Sequence, residues 1–385
     1  MSTRPLKILL TDPHLKGGGQ VRYVEKLASE LTQLGHSVAI GCKRESVLVE
    51  SARLAKCGLV NRFHYRGGLR PTCWFDDVRT VKGYIQAEAP DILHANGSQD
   101  HWVSAIANRL MGFPVCMVRS RHNTYPVSEN ILNRTLNLRW TDYQIAVCEE
   151  VREMRISRPV FDADRMASIH NGVDPDEYKP DAEVRKRVRE EFGYTNGQVV
   201  LGMAARLTEA KGHRYLFEAA VDLSKAFPNV RLLLLGRGDL ENDLKAMARE
   251  LGIDGITHFA GFRTDVGDCI QAFDIGVQPS IACEASSFSV MEQMATEKPI
   301  VASDHGGTKE IVRDGIDGHI VRQGETLPLM EALRSLIADE EKRRTMGRSA
   351  RTRVADEFSL AKLAERTVAA YRHALELHQA RGTRR

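Results

Sequence analysis

The sequence repeats one pattern. A short apolar run ends in polar residues, a loop follows, then a stretch of helical periodicity, then another apolar run. LKILLTD (6–12), KGGG, VRYVEKLASELTQLG and HSVAIGC form the first instance. Runs this short and this continuously apolar suit strands buried on both faces, the usual condition of a parallel sheet covered by helices. Strand, loop, helix and strand make a βαβ unit. The unit recurs with DILHA (91–95), VSAIANRLMG and PVCMVRS (114–120), and YQIAVC (143–148) and MASIHNGVD (166–174) extend it. One doubly wound α/β domain is predicted over residues 1–180.

The segment DPDEYKPDAEVRKRVREEFGYTNG (174–197) is highly charged and lacks a long apolar run. It reads as a linker with a solvated helix. The pattern then restarts with QVVLGMAAR (198–206), VRLLLLGRG (230–238), ITHFAGF (256–262), DIGVQPS (274–280) and PIVASD (299–304). A second doubly wound domain is predicted over 181–358. Residues 359–385 are expected to hold a last helix with no strand after it. A length of 385 residues, with 42% hydrophobic and 27% charged residues, suits two ordinary soluble domains.

The formal net charge of +3 is too small to argue for nucleic acid. The surplus of cations lies in residues 1–180, which fits an anionic partner or a membrane surface as well as chance scatter. Seven cysteines, Cys283 among them, are scattered and never spaced CxxC, so reduced thiols are expected rather than zinc or disulfides. The first residues carry only the short apolar run ILL, not a signal peptide. No run approaches the roughly 20 apolar residues of a membrane span. The expected location is cytoplasmic, with the inner face of the membrane as a peripheral contact.

Ligands of parallel α/β sheets sit beyond the carboxyl ends of the strands, so the strand exits carry the chemistry. After the first strand come Gly17, Gly18 and Gly19, where backbone amides can approach an anion at a helix start. This is neither GxGxxG nor a P-loop, and alone it fits a tight turn equally. ARLTEAKG (205–212) offers Arg206 and Lys211, two cations suited to a diphosphate, or two surface charges. In LGRGDLEN (235–242), Glu241 stands where a third GxGxxG glycine belongs, so no nicotinamide site is read there.

EASSFSVMEQMA (284–295) is the most unusual exit. Within one helix, Glu284 and Glu292 would diverge by about 80°. Glu284 is better placed in the loop and Glu292 in the helix after it. Carboxylates do not attract phosphate; they accept hydrogen bonds from vicinal hydroxyls such as those of sugars. The loop amides and the helix start favour an anion. A nucleotide sugar offers both partners. A helix-capping acid beside an unrelated glutamate is the plain alternative.

Taken together, these motifs resemble the glycosyltransferase family 4 group of retaining enzymes with the GT-B fold. The resemblance covers nearly the whole chain. It rests on the E-x7-E pair, on the run EQMATEKPIVASDHGGTKEIVRDGIDGHIV after it, on ARLTEAKG, on GGQVRYVEKLASELTQLGHSV and on HNGVD (170–174). It implies two Rossmann-like domains facing a cleft, with the C-terminal helix crossing back to the first. As catalytic residues it implies His122, in VRSRHNTYP, with Glu284, Arg206 and Lys211. The diphosphate would lie against Arg206 and Lys211, the donor sugar against Glu284 and the ribose against Glu292. Gly18, Gly19, Gly236, Phe262, Arg263, Ser286, Ser287 and Phe288 complete the implied donor side, and Arg121 and Thr124 the acceptor side.

The implied reaction moves a sugar from a nucleoside diphosphate, a UDP-sugar ahead of a GDP-sugar, to a saccharide or lipid-linked saccharide, with retention. Bacterial lipopolysaccharide or capsule assembly is the expected setting. No metal or other cofactor is expected, since no DxD run follows a strand in a donor-site position. The chain departs from the family at Ser286 and Ser287, where Phe-Gly is usual, and at Gln293, where alanine is common; the first change puts the sugar's identity in question. A GT-B epimerase or phosphorylase is the rival enzyme, and a silent nucleotide-sugar-binding subunit the rival of another class.

Overall fold

The computed structural model describes residues 4–68, 70–282 and 284–382, so Cys283 lies outside it. The chain divides into two compact units, residues 1–171 with 360–385, and residues 172–359.

In the first unit the strands are β1 (Lys7–Thr11), β2 (Ser37–Lys43), β3 (Gly58–Phe63), β4 (Ile92–Ala95), β5 (Cys116–Arg121), β6 (Tyr143–Ala146) and β7 (Met166–Ser168). They form a parallel sheet in the order β3-β2-β1-β4-β5-β6-β7. The apolar runs are fully buried at Ile8, Leu9, Leu10, Ile92 and Val118, as strands covered on both faces require. β3 escapes the apolar pattern because it is an edge strand, with only Phe63 buried. Leu360–Gly382 is a helix of this same unit. It buries Leu363, Ala364, Thr367, Ala370, Tyr371 and Ala374 and packs beside the helix Gly19–Gln33, β5 and β6. The last helix thus finds its partners at the start of the chain.

The second unit repeats the topology. β8 (Val199–Ala204), β9 (Val230–Leu235), β10 (Thr257–Gly261), β11 (Ile275–Gln278), β12 (Ile300–Ser303) and β13 (Gly318–Val321) form a parallel sheet ordered β10-β9-β8-β11-β12-β13. In both sheets the strand order reverses beside the first strand, between β1 and β4 and between β8 and β11. Such switch points open a crevice at the carboxyl ends of the strands.

The charged segment before β8 differs from the solvated helix expected of it. Ala182–Glu191 is a helix capped by Asp181, and it buries Val188 and Arg189. Arg185 donates to Asp274 at 2.6 Å and to the carbonyls of Gln271 and Phe273. Arg189 donates to Asp274 and to the carbonyls of Ala272 and Gln198. Arginine stems pack while their heads find partners, so a charge run can dock a helix as firmly as an apolar stripe.

Candidate active site

The switch point of the second unit gathers the motif residues. β8 ends at Ala204, and the chain passes through exposed Arg206 into the short turn Glu209–Lys211. β11 ends at Gln278, and its exit loop lies against that turn: the amides of Ile281 and Ala282 both donate to the carbonyl of Ala210, at 2.9 and 3.2 Å. Gly212 closes the turn at φ +71, and a Cβ there would stand 1.9 Å from the carbonyl oxygen of Pro279. Only glycine allows that approach, and it seats Lys211 over the β11 exit.

Lys211 Nζ meets Glu284 Oε2 at 2.5 Å, with the side chains 14% and 7% exposed. Two more donors reach the same oxygen, Ser280 Oγ at 3.0 Å and Gln278 Nε2 at 3.1 Å. Among the described residues these contacts all fall on Oε2, and Oε1 is the carboxylate oxygen that remains to accept a hydroxyl. The carboxylate also fixes the orientation of the Gln278 amide, since only its NH₂ end can face an anion. Behind Glu284, its carbonyl accepts the amide of Gly307, and Gly306, at φ +64, has no room for a side chain.

Glu284 lies in the loop and Glu292, 3% exposed, in the helix Phe288–Ala295. Ser287 caps that helix, accepting from the amide of Val290, and Ser286 and Phe288 are buried beside it. The substituted Gln293 is fully buried. Its NH₂ donates to the carbonyl and hydroxyl of Ser289, and its Oε1 lies where a Cβ on Gly276 of β11 would come within 2.4 Å. The glutamine is accommodated because the strand beneath it carries a glycine.

Other implied residues lie apart from this network. Gly236 sits where β9 leaves the sheet, at φ +138, and a Cβ would meet the Ala205 carbonyl at 2.0 Å. It serves backbone contact between the β8 and β9 exits. Phe262 is 68% exposed. Arg263 is held by Asp265 and Glu191 at 2.7–2.8 Å; those hydrogen bonds raise its pKa.

In the first unit, β1 leads to Asp12, fully buried. Asp12 accepts from the amide and Nδ1 of His14 and from Gln20 Nε2 at 2.6 Å, and it holds the half-exposed imidazole with a raised pKa. Gly17 and Gly18 have nothing within 4 Å of a Cβ position, and Gly18 is extended, so the fold itself does not require glycine at either. Gly19 opens the helix Gly19–Gln33. His122 Nε2 lies 3.0 Å from Asn96 Oδ1, with its ring edge-on to Tyr23 at 4.7 Å. Burial pushes it well below the usual histidine range, so it is neutral. Arg121 is turned inward, to Gln144 and Asn137 at 2.9 and 2.6 Å, and Thr124 is half-buried in the next loop.

Sequence reasoning missed Gln278 and Ser280, which steer Glu284, and Asp12 and His14. All four stand at strand exits, and that position was the available signal. Among the described residues one group could hold a metal: Cys116, Asp142 and His378. Asp142 is already engaged there by the Met117 amide, His378 and Arg381.

The family model for Glycosyl transferases group 1 matches residues 184–353, and that for Glycosyltransferase Family 4 matches 17–177. The EpsD protein of Bacillus subtilis (strain 168) is 32% identical over 230 residues, 59% of each chain. The Escherichia coli UDP-Gal:alpha-D-GlcNAc-diphosphoundecaprenol alpha-1,3-galactosyltransferase is 25% identical over 289 residues, 72% of this chain and 74% of its own. Anabaena Alr3699/HepE, solved in complex with UDP, superposes with a TM-score of 0.83 at 23% identity, covering 94% of this chain and 99% of that one. With two parallel Rossmann-like sheets and a family model matched to most of each, the chain belongs to glycosyltransferase family 4 and has the GT-B fold.

Proposed function

We propose that this glycosyltransferase moves a sugar from a nucleoside-diphosphate sugar, a UDP-sugar ahead of a GDP-sugar, to a saccharide or lipid-linked saccharide, in lipopolysaccharide or capsule assembly at the inner face of a bacterial membrane. Transfer proceeds with retention and without a metal.

The observation that carries the reading is the Lys211–Glu284 pair at the β8–β11 switch point. Among the described residues one carboxylate oxygen is fixed by three donors and the other is left to accept. A lysine held by a carboxylate is pre-positioned for a diphosphate, and exposed Arg206 supplies the second cation. As the bond from the anomeric carbon to the leaving oxygen breaks, the electron pair passes to the diphosphate. Arg206 and Lys211 stabilise that charge, and such fixed electrostatics are a main source of rate enhancement. Glu284 Oε1 takes a hydroxyl of the donor sugar, and Glu292 takes the ribose hydroxyls. Gly18 and Gly19 serve the donor, His122 the transferred sugar, and Thr124 the acceptor side. The UDP-Gal donor and diphosphoundecaprenol acceptor in the name of the Escherichia coli relative support these classes, as does the UDP in the HepE complex.

The test is a panel of UDP- and GDP-sugars with release of nucleotide followed with and without saccharide acceptors. Acceptor-dependent release with an α-retained product is expected. Equal release without acceptor would point to an epimerase, dependence on inorganic phosphate to a phosphorylase, and binding without turnover to a silent subunit.

A further inference from the structure

β5 and its exit read VRSRH, and both arginines of the strand are buried. Arg119 is 4% exposed and Arg121 is 8% exposed; Arg155, on the helix Glu149–Ile156, is 3% exposed. Burial lowers the pKa of all three, and the charge of Arg155 adds to the lowering at Arg119 and Arg121. Among the described residues none of them forms an ion pair. Arg121 is satisfied by the amide oxygens of Gln144 and Asn137. Arg155 is held by the carbonyls of Asn123 and Tyr125, which ties down the loop after β5. Both guanidiniums also lie over the Phe161 ring, 5.2 and 6.0 Å from its centroid, which favours a cation without pairing it with an anion.

Arg119 lacks even that. Its side chain makes no hydrogen bond among the described residues, and its Nε and Nη1 are sealed from solvent. Burial pushes its pKa down to about 10, which still leaves it cationic at neutral pH. A folded chain normally pairs a buried charge, because an unpaired one is strongly disfavoured.

The nearest acids do not close the account. Asp12 is engaged by His14 and Gln20. Asp100 Oδ2 accepts from the Thr11 hydroxyl at 2.9 Å and from the amides of Asn96 and Gly97 at 2.8 and 3.1 Å. Asp100 Oδ1 is buried without a partner, so the plain alternative is a structural one, with a small shift or a water joining it to Arg119. Two carboxylates, Asp100 and Asp12, would still face three guanidiniums, and Asp12 also faces His14. The position also favours a ligand: Arg119 is in register with Ala95, and Ala95 with Thr11, so it stands level with the ends of β1 and β4 at the unit's switch point.

We infer that Arg119, flanked by Arg121 and Arg155, receives an anionic group of the acceptor, a phosphate or a carboxylate. The inference rests on the glycosyltransferase reading and adds to it that the acceptor is charged. A phosphorylated or lipid-diphosphate-linked saccharide and an acidic sugar share that chemistry, so the test separates them.

The full chain is first saturated with UDP, which occupies the anion site of the second unit. Inorganic phosphate and glucuronate are then titrated by calorimetry into the native protein, Arg119→Gln and Lys211→Ala. One probe or both should bind the native protein, with affinity at least tenfold weaker in Arg119→Gln and unchanged in Lys211→Ala. Phosphate alone identifies a phosphorylated acceptor and glucuronate alone an acidic sugar. Without probes, Arg119→Gln should melt higher than the native chain, because it removes an unpaired buried charge. Failure of both probes, binding that survives Arg119→Gln, loss in Lys211→Ala, or a lower melting temperature or failure to fold in Arg119→Gln each overturns the inference. If UDP itself does not bind, the reading of the second unit fails instead, and the same probes run without it still decide the Arg119 site.

Discussion

Replacing Lys211 by Met keeps the stem and removes the cation. It leaves Glu284, 5% exposed, with only Gln278 and Ser280 as donors to its charge. Removing one partner of a buried ion pair costs about 3–5 kcal/mol. Because two neutral donors remain, the lower end applies, about 3 kcal/mol. In a unit of this size each kcal/mol shifts the midpoint by about 2–4 °C, so its thermal transition should fall by roughly 6–12 °C. Glu284→Gln should cost less, on the order of 2 kcal/mol, since Lys211 is the more exposed partner. The double variant Lys211→Met/Glu284→Gln should recover part of the loss, with a coupling on the order of 2 kcal/mol. Turnover should not recover with it. All three variants should lose on the order of 10²–10³ in kcat, the loss typical of removing one transition-state donor. The assay is urea denaturation of the four proteins beside steady-state kinetics with the same donor. Additive stabilities would refute the claim that the pair is energetically coupled. Recovery of turnover along with stability would refute the claim that Lys211 acts on the diphosphate.

The two glutamates should divide the donor. Glu292→Gln should weaken free UDP measured by calorimetry, whereas Glu284→Gln should leave it nearly intact and lose turnover of the complete donor; equal effects on UDP would contradict the assignment. Acid should destabilise the first unit. His94 is depressed to about 3 and His101 and His122 well below the usual range, all chiefly by burial. The unfolded chain, with ordinary histidines near 6.5, then binds more protons, so stability present above about pH 6.5 is lost as the pH falls toward 3, by up to about 1.4 kcal/mol per pH unit for each group. His94→Gln should flatten the slope measured by denaturation across that window, and an unchanged slope would count against it. Activity should persist in EDTA; complete loss restored by Mg²⁺ or Mn²⁺ would show that a metal takes part.

Much of this architecture is legible because burial leaves its mark on the sequence. β1, β4, β8 and β9 are near-continuous apolar runs, and their spacing alone announces two doubly wound units. β3 and β13 leave weaker marks, since one is an edge strand and the other is the four residues GHIV. The helix Ala182–Glu191 was legible as a helix but not as a docked one, because beside the buried Val188 much of its anchoring is by arginine heads on carbonyls and on Asp274 far along the chain. At the site, the strand-exit rule and the spacing of Glu284 and Glu292 identified the loop and the helix that carry them. The hold of Gln278 and Ser280 on one carboxylate oxygen depends on loop curvature, which no spacing encodes. Arg263 shows the reverse limit: as a cation at a strand exit it suits a phosphate, but Asp265 two residues on, with Glu191, already accepts its hydrogens.

The two sheets share one strand order, and at both switch points a glycine lets the exits meet, Gly97 after β4 lying where a Cβ would come within 2.3 Å of Pro13, but the two points differ in what surrounds that contact. In the second unit the close approach of the exits is a backbone matter. Gly212 lies against Pro279, Gly236 against Ala205 and Gly306 against Glu284, each where a Cβ would clash with a carbonyl. Those glycines hold loops together, and Lys211 and Glu284 inherit their positions from them. In the first unit a Cβ on Gly17 or Gly18 would meet nothing within 4 Å, while the polar load is buried in side chains: Asp12, His94, Asp100 and Arg119. A glycine that the fold does not need, beside a buried guanidinium, Arg119, that lacks a side-chain hydrogen bond among the described residues, is hard to explain by folding alone. Close packing answers for the glycines of the second unit; what approaches from outside is the simpler answer for Gly17 and Gly18.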